Sequence, residues 1–173
     1  FTGFSGLAII LYIIWSLTRE DTGTKKMREI SGYIQRGANA FLKREFKTIL
    51  YFTIVLAIVL TVCLWPHWQI GLGFIIGVFS SFLAISLGMN TAVKANVRTA
   101  NAARKSPARA VMLALRGGGV IGLSIIALEL ISITLLYYFL GVRNNPEALS
   151  LMFGFGLGTD VTALFAQLGG GIY

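Results

Sequence analysis

Five stretches of the chain are almost free of charge, at about residues 2–17, 49–65, 70–89, 117–140 and 148–168. Each is close to the length that crosses a hydrocarbon core as a helix, about 17–25 residues. Trp15 stands near the charged end of the first, where an amphipathic ring suits the membrane interface. From Thr18 to Thr48 the pattern changes. Met27, Ile30, Ile34, Ala38, Phe41 and Leu42 recur at helical spacing, with Lys26, Arg28, Glu29, Arg36, Lys43 and Arg44 between them. That alternation predicts an amphipathic helix over about 26–47, packed on its own bundle or lying at the membrane surface.

The breaks between spans are short and differ in chemistry. Pro66 closes the second stretch, and Pro66-His67-Trp68-Gln69 leaves room only for a tight hairpin. The third stretch meets no breaker between Met89 and Ala103, so one helix is expected to run well past the bilayer. Ser106-Pro107 reads as a restart, with serine as N-cap and proline at the first helical position. The fourth helix approaches through Arg109 and Arg116 before turning apolar at Gly117, and Gly141 to Pro146 is expected to turn the chain into the fifth. The fold class is therefore all-α and integral to the membrane, with about five transmembrane helices.

Charge orients this ladder. Of 15 Lys and Arg, all but Arg143 fall in two blocks, 19–47 and 94–116, each between an odd-numbered span and the next. The 66–69 hairpin carries none. Positive charge stays on the cytoplasmic side, which predicts an outside N-terminus, two basic cytoplasmic regions and a cytoplasmic end to the fifth span, in a cell (inner) membrane. The net charge of +8 is thus a topology signal. A nucleic-acid binder needs a soluble scaffold to present such charge, and the pattern offers none.

Candidate chemistry is sparse. The single cysteine, Cys63, excludes an intrachain disulfide, and the single histidine, His67, has no carboxylate or cysteine at ligand spacing. No hydrolytic triad and no metal site can be assembled. Glu129, Asp160 and Gln167 interrupt the spans. A charge at mid-bilayer costs about 2.5–3.5 kcal/mol, so such a residue faces a partner or a water-filled path. Asp160 and Gln167 are two helical turns apart and share a face, which suits an ion route. For Asp160 and Glu129 the reading preferred from the sequence is an interhelical hydrogen bond that only fixes packing. Gly73/Gly77 and Gly154/Gly158 have the spacing of close helix contact, and no phosphate-loop lysine follows any glycine cluster. Lys94, Arg98, Arg104, Lys105 and Arg109 suit a phosphate group, although topology already explains them.

Three segments together resemble the membrane-integral inorganic pyrophosphatases, the pyrophosphate-energised proton or sodium pumps. They are Ile34-Gln35-Arg36-Gly37-Ala38-Asn39-Ala40-Phe41-Leu42-Lys43-Arg44-Glu45-Phe46, then Ala95 to Arg104 with Leu115-Arg116-Gly117-Gly118-Gly119, and finally Ala163-Leu164-Phe165-Ala166-Gln167-Leu168-Gly169-Gly170-Gly171-Ile172-Tyr173. The resemblance implies a homodimer of many-helix subunits that hydrolyses pyrophosphate with Mg2+ at the cytoplasmic helix ends and moves protons or sodium outward. It also implies that this chain is the N-terminal part of a larger bundle, since the substrate-binding lysine and metal-binding aspartates of the family follow the glycine-tyrosine segment. The N-terminus opens at Phe1 inside an apolar segment, and both ends read as internal to a longer polypeptide. No catalytic, substrate-binding or metal-binding residue of the family falls within the chain, so an inactive fragment is expected. One coupling position does: Gln167 stands where many members carry arginine. The ion moved and the dependence on K+ stay open. A non-enzymatic membrane scaffold or permease subunit, with basic loops docking a soluble partner, is the competing reading, and lipid binding by helix 26–47 accompanies either.

Overall fold

The structure, a computed structural model, describes residues 1–139 and 147–170, and the side chains among them except at 147, 148 and 168–170. The expected 141–146 turn, Arg143 and the 171–173 tail lie outside the described residues. Five helices account for nearly all the rest: α1 (Thr2–Thr18), α2 (Lys25–Cys63), α3 (Gln69–Ala103), α4 (Pro107–Phe139) and α5 (Glu147–Gly170). No strand occurs among the described residues. Four helices, α2 to α5, are long and apolar enough to cross a membrane. α1, at 17 residues, sits at the lower limit of spanning length.

The expected amphipathic helix over 26–47 and the span from 49 are one continuous helix, and of its two expected places it takes the one packed on its own bundle. No glycine or proline falls between Ala38 and Cys63, so nothing stops the helical ladder where the charges end. Ala38, Leu42, Glu45, Ile49, Thr53 and Ala57 form a single buried stripe that passes from the charged half to the apolar half. Packing along that stripe holds the charged half to the bundle. At about 1.5 Å per residue, the 39-residue α2 is roughly 58 Å long and outreaches any bilayer core. Thr24 caps its start, with the Met27 N–H donating to Thr24 Oγ1 at 3.3 Å. The Ser106 cap appears as read: Arg109 N–H donates to its Oγ at 3.4 Å as α4 begins at Pro107.

α3 is the central rod, buried on most sides by α2, α4 and α5. α1 packs mainly on α4. Its buried positions, Gly3, Ile10 and Leu17, are seven apart and so form one face. That face meets Val120 and Ala127 of α4. The many exposed apolar side chains, Tyr51, Val55, Leu115 and Leu135 among them, lie around the outside of the rods. A soluble domain does not leave whole helix faces of this kind bare, whereas lipid covers them.

Candidate functional site

The glycine pairs determine which way α5 faces. A Cβ on Gly73 or Gly77 of α3 would run into the carbonyl oxygens of Leu151 or Phe155, and one on Gly154 or Gly158 of α5 into those of Ile70 or Phe74. The two backbones are therefore in direct contact over two turns, the geometry that small residues at four-residue spacing permit. Thr162, fully buried, adds a bond within α5 to the Gly158 carbonyl at 3.0 Å and a longer one to Val78 of α3 at 3.5 Å. With that face pinned, the opposite one points outward. Asp160, Ala163 and Gln167 are all exposed on it.

Beside this face runs a groove of about 350 Å3 between α3, α4 and α5, lined by Ala92, Ile121, Ile125, Ala163, Ala166 and Gln167 among others. Ile121 and Ile125 of α4 and Ala163, Ala166 and Gln167 of α5 line it together. Glu129 stands one turn beyond Ile125 along α4, and Asp160 about one turn before Ala163 along α5. Neither carboxylate has a hydrogen bond or ion pair among the described residues, so the packing hydrogen bond that would account for them is not present there. Gln167 lines the groove at its other end.

The basic end is built differently, from a network that ties the α1–α2 loop to α3 and α4. Arg98 donates through Nε to the Glu20 carbonyl at 3.2 Å, through Nη2 to the Thr18 carbonyl at 3.1 Å and through Nη1 to the Lys94 carbonyl at 2.6 Å. It thereby satisfies a carbonyl left open where α1 ends. Asn101 donates to Asp21 Oδ2 at 3.1 Å, and the Gly23 N–H donates to Asp21 Oδ1 at 2.9 Å. Those two bonds, the Gly23 one foremost, hold the exposed Asp21 carboxyl below the ordinary carboxylate range. Gly23 has φ of +76°, and a Cβ there would also meet Asn101 Oδ1 at 2.8 Å, so glycine is required on both counts. Arg109 pairs with Glu20 at 2.8 Å, and Arg116 donates to Ser16 Oγ at 3.3 Å. Of the five cations suited to a phosphate group, Arg98 and Arg109 are thus engaged within the chain, while Lys94, Arg104 and Lys105 are exposed.

Sequence spacing alone did not point to these partners, which lie about 80 residues apart in the chain. Their one signal is an Arg-x-x-Asn pair on the last turns of α3, a face that needs acceptors. Glu45 was equally hidden inside a charged run. It is buried at 8% exposure on the α2 stripe, and its Oε2 has no hydrogen-bond partner. His67 and Cys63 are exposed, at the tight turn and beside it. Among the described residues no group of three or more His, Cys, Asp or Glu side chains comes together.

Comparison with known proteins matches residues 4–173 to the family described as inorganic H+ pyrophosphatase. The chain is 42% identical over 172 residues to a K(+)-insensitive pyrophosphate-energized proton pump 2 of Moorella thermoacetica, covering 99% of this chain and 25% of that protein. It is 36% identical over 171 residues to a K(+)-insensitive pyrophosphate-energized proton pump of Methanosarcina mazei, again 99% of this chain and 25% of the other. A K(+)-stimulated pyrophosphate-energized sodium pump of Thermotoga maritima is 36% identical over 177 residues, with 91% and 24% covered. The chain spans about a quarter of the length of these curated relatives.

Proposed function

The chain belongs to the inorganic H+ pyrophosphatase family, and on that premise we propose that it supplies helices of a pyrophosphate-energised ion pump, with α5 beside the ion path. The observation that carries this reading is the outward face of α5. Asp160 and Gln167 stand on it in the membrane-spanning part of the chain, beside a groove, while the opposite face is locked to α3. Polar side chains at that depth are expensive unless they serve a partner or a path. The Gln167 amide can donate and accept hydrogen bonds but holds no fixed charge, so coupling there proceeds through polarity and not through a guanidinium.

Pyrophosphate and the magnesium that accompanies it are assigned, in the same proposal, to parts of the pump outside the described helices. The basic end faces the cytosol by the positive-inside rule, in the cell membrane, and two copies of the pump pair as a homodimer. The relatives include pumps of both kinds, for protons and for sodium.

The test uses the natural protein that contains this sequence, reconstituted in sealed vesicles with pH- and sodium-sensitive dyes. Pyrophosphate hydrolysis should drive movement of one ion, and Gln167→Leu should reduce ion movement more than hydrolysis. Hydrolysis without ion movement in the unaltered protein overturns the pump reading. A Gln167→Leu variant with both activities intact favours a scaffold role for these helices.

A further inference from the structure

We propose that a second groove, between the basic ends of α2 and α3, docks an amphipathic helix of a separate soluble protein, one that carries aspartate or glutamate on both sides of an apolar stripe. Closer to the membrane the two helices meet directly, where Ala38 and Leu42 of α2 pack with Met89 and Val93 of α3. Further along, the seam opens into a space of about 350 Å3, lined by Met27, Ile30 and Ile34 of α2 and by Val97 and Ala100 of α3 among others. Ile30 and Ile34 are exposed. Lipid does not cover them. The apolar run of α2 begins at Ile49, so Ile34 stands roughly 22 Å beyond it along the axis at about 1.5 Å per residue. An apolar patch left in water and rimmed by polar side chains marks an interaction surface. Met27 to Ile34 covers two helical turns, which matches the anchors at i, i+3, i+4 and i+7 by which an amphipathic helix lies in a groove.

Charge complementarity selects the partner. Lys26 stands four residues from Ile30, Arg104 four from Ala100 and Lys94 three from Val97, so each neighbours the groove on its own helix. All three are exposed. Acid is scarce beside them. From Lys25 to Lys47 there are only Glu29, which accepts from the Tyr33 hydroxyl at 3.4 Å, and the buried Glu45. From Lys94 to Lys105 there is none. A second copy of this chain brings the same cations to the contact and is repelled, whereas an acidic helix satisfies rim and groove together. The small apolar centre inside a charged rim is the anatomy of a reversible interface with a separate partner, since permanent contacts are larger and more apolar. The inference holds whether or not the pump reading does, because it uses only the shape and charge of α2 and α3.

The probe is a labelled synthetic helix of about 14 residues, with an apolar stripe of leucines flanked by glutamates, added to the natural protein that contains this sequence in lipid nanodiscs. Two control peptides replace every glutamate by lysine or every leucine by serine. Fluorescence anisotropy should show the Glu-Leu helix binding on the order of tenfold more tightly than either control. Ile30→Ser with Ile34→Ser should erase its advantage over the serine control. Lys26→Glu with Arg104→Glu should transfer the preference to the lysine control. Circular dichroism of each variant separates lost docking from lost fold, and the control peptides test the unaltered protein in either case. A photo-crosslinker at Ile34 should capture the Glu-Leu helix. Equal binding of the serine control overturns the proposal, since charge alone then accounts for the attraction. So does capture at Ile34 of another stretch of the same polypeptide or of a second copy, either of which would show the groove to be filled already.

Discussion

Asn101, near the end of α3, donates its side-chain amide to Asp21 Oδ2 at 3.1 Å and so joins the α1–α2 loop to the central helix across 80 residues of sequence. Because this bond and the Gly23 N–H lower the Asp21 pKa, ionised Asp21 contributes to the folded state at pH above its unfolded value of about 3.8. That contribution is lost as pH falls through the lower, folded value. The protection of the Gly23 amide against hydrogen exchange, relative to an unstructured amide at the same pH, should therefore fall below about pH 4, and Asn101→Ala should shift that onset to higher pH. A protection factor unchanged by acid in the unaltered chain would remove Asp21 from this role.

Arg98 supplies three bonds to backbone carbonyls, which a lysine cannot reproduce from a single ammonium. Arg98→Lys should destabilise the α1–α2 junction by on the order of 1.5 kcal/mol, the low end for charged donors because the side chain is partly solvated. Limited proteolysis in the 19–24 loop is the measurement, and cleavage should rise several-fold relative to the unaltered protein. Unchanged cleavage would mean that the loop is held without Arg98.

The glycine contacts of α3 with α5 leave no room for a side chain. Gly77→Leu should cost more than the about 1–3 kcal/mol typical of overpacking, because the obstacle is backbone that cannot rotate away. Gly156→Ala is the matched control, since nothing lies within 4 Å of a Cβ at Gly156. Thermal unfolding in detergent should drop sharply for the first and stay level or rise for the second. Comparable losses in both would show that helix flexibility, and not contact, sets the effect.

Glu45 places a carboxylate among apolar neighbours, close to the cluster of Ala38, Leu42, Met89 and Val93, and leaves Oε2 without a partner. Glu45→Met should raise stability by about 1–3 kcal/mol, the usual cost of a buried unsatisfied group. Chemical denaturation of the reconstituted chain reads this directly. Lower stability in the variant would show that the carboxylate is held by something else.

Orientation is open to a labelling experiment. With the basic end in the cytosol, an impermeant amine reagent applied to intact cells should leave Lys43 and Lys94 unmodified, and permeabilisation should expose both. Reaction of either in intact cells would invert the topology.

Much of the fold was legible along the chain because lipid imposes a one-dimensional rule: every backbone polar group must be satisfied within its own helix, so long apolar runs can only be helices. The long apolar helices, the Ser106-Pro107 restart, the unbroken α3 and the close-contact glycines all follow from local pattern. So do the three segments that mark the family. Polar residues within spans were also visible in the sequence as candidates, since their transfer cost does not depend on neighbours.

Only the tertiary structure decided which of those features meet. Helical periodicity puts Asp160 and Gln167 on one face, but the direction of that face depends on Gly154 and Gly158 docking against Ile70 and Phe74. The engagement of Arg98 and Arg109 and the burial of Glu45 likewise depend on how separate rods pack. The place of α2's charged half depends on packing too, because a charged amphipathic segment can also lie on a membrane surface, and burial of its stripe against the bundle decides between the two. Local chemistry specifies each helix, whereas contacts between residues tens of positions apart are set by which close-packed arrangement of all five has the lowest free energy.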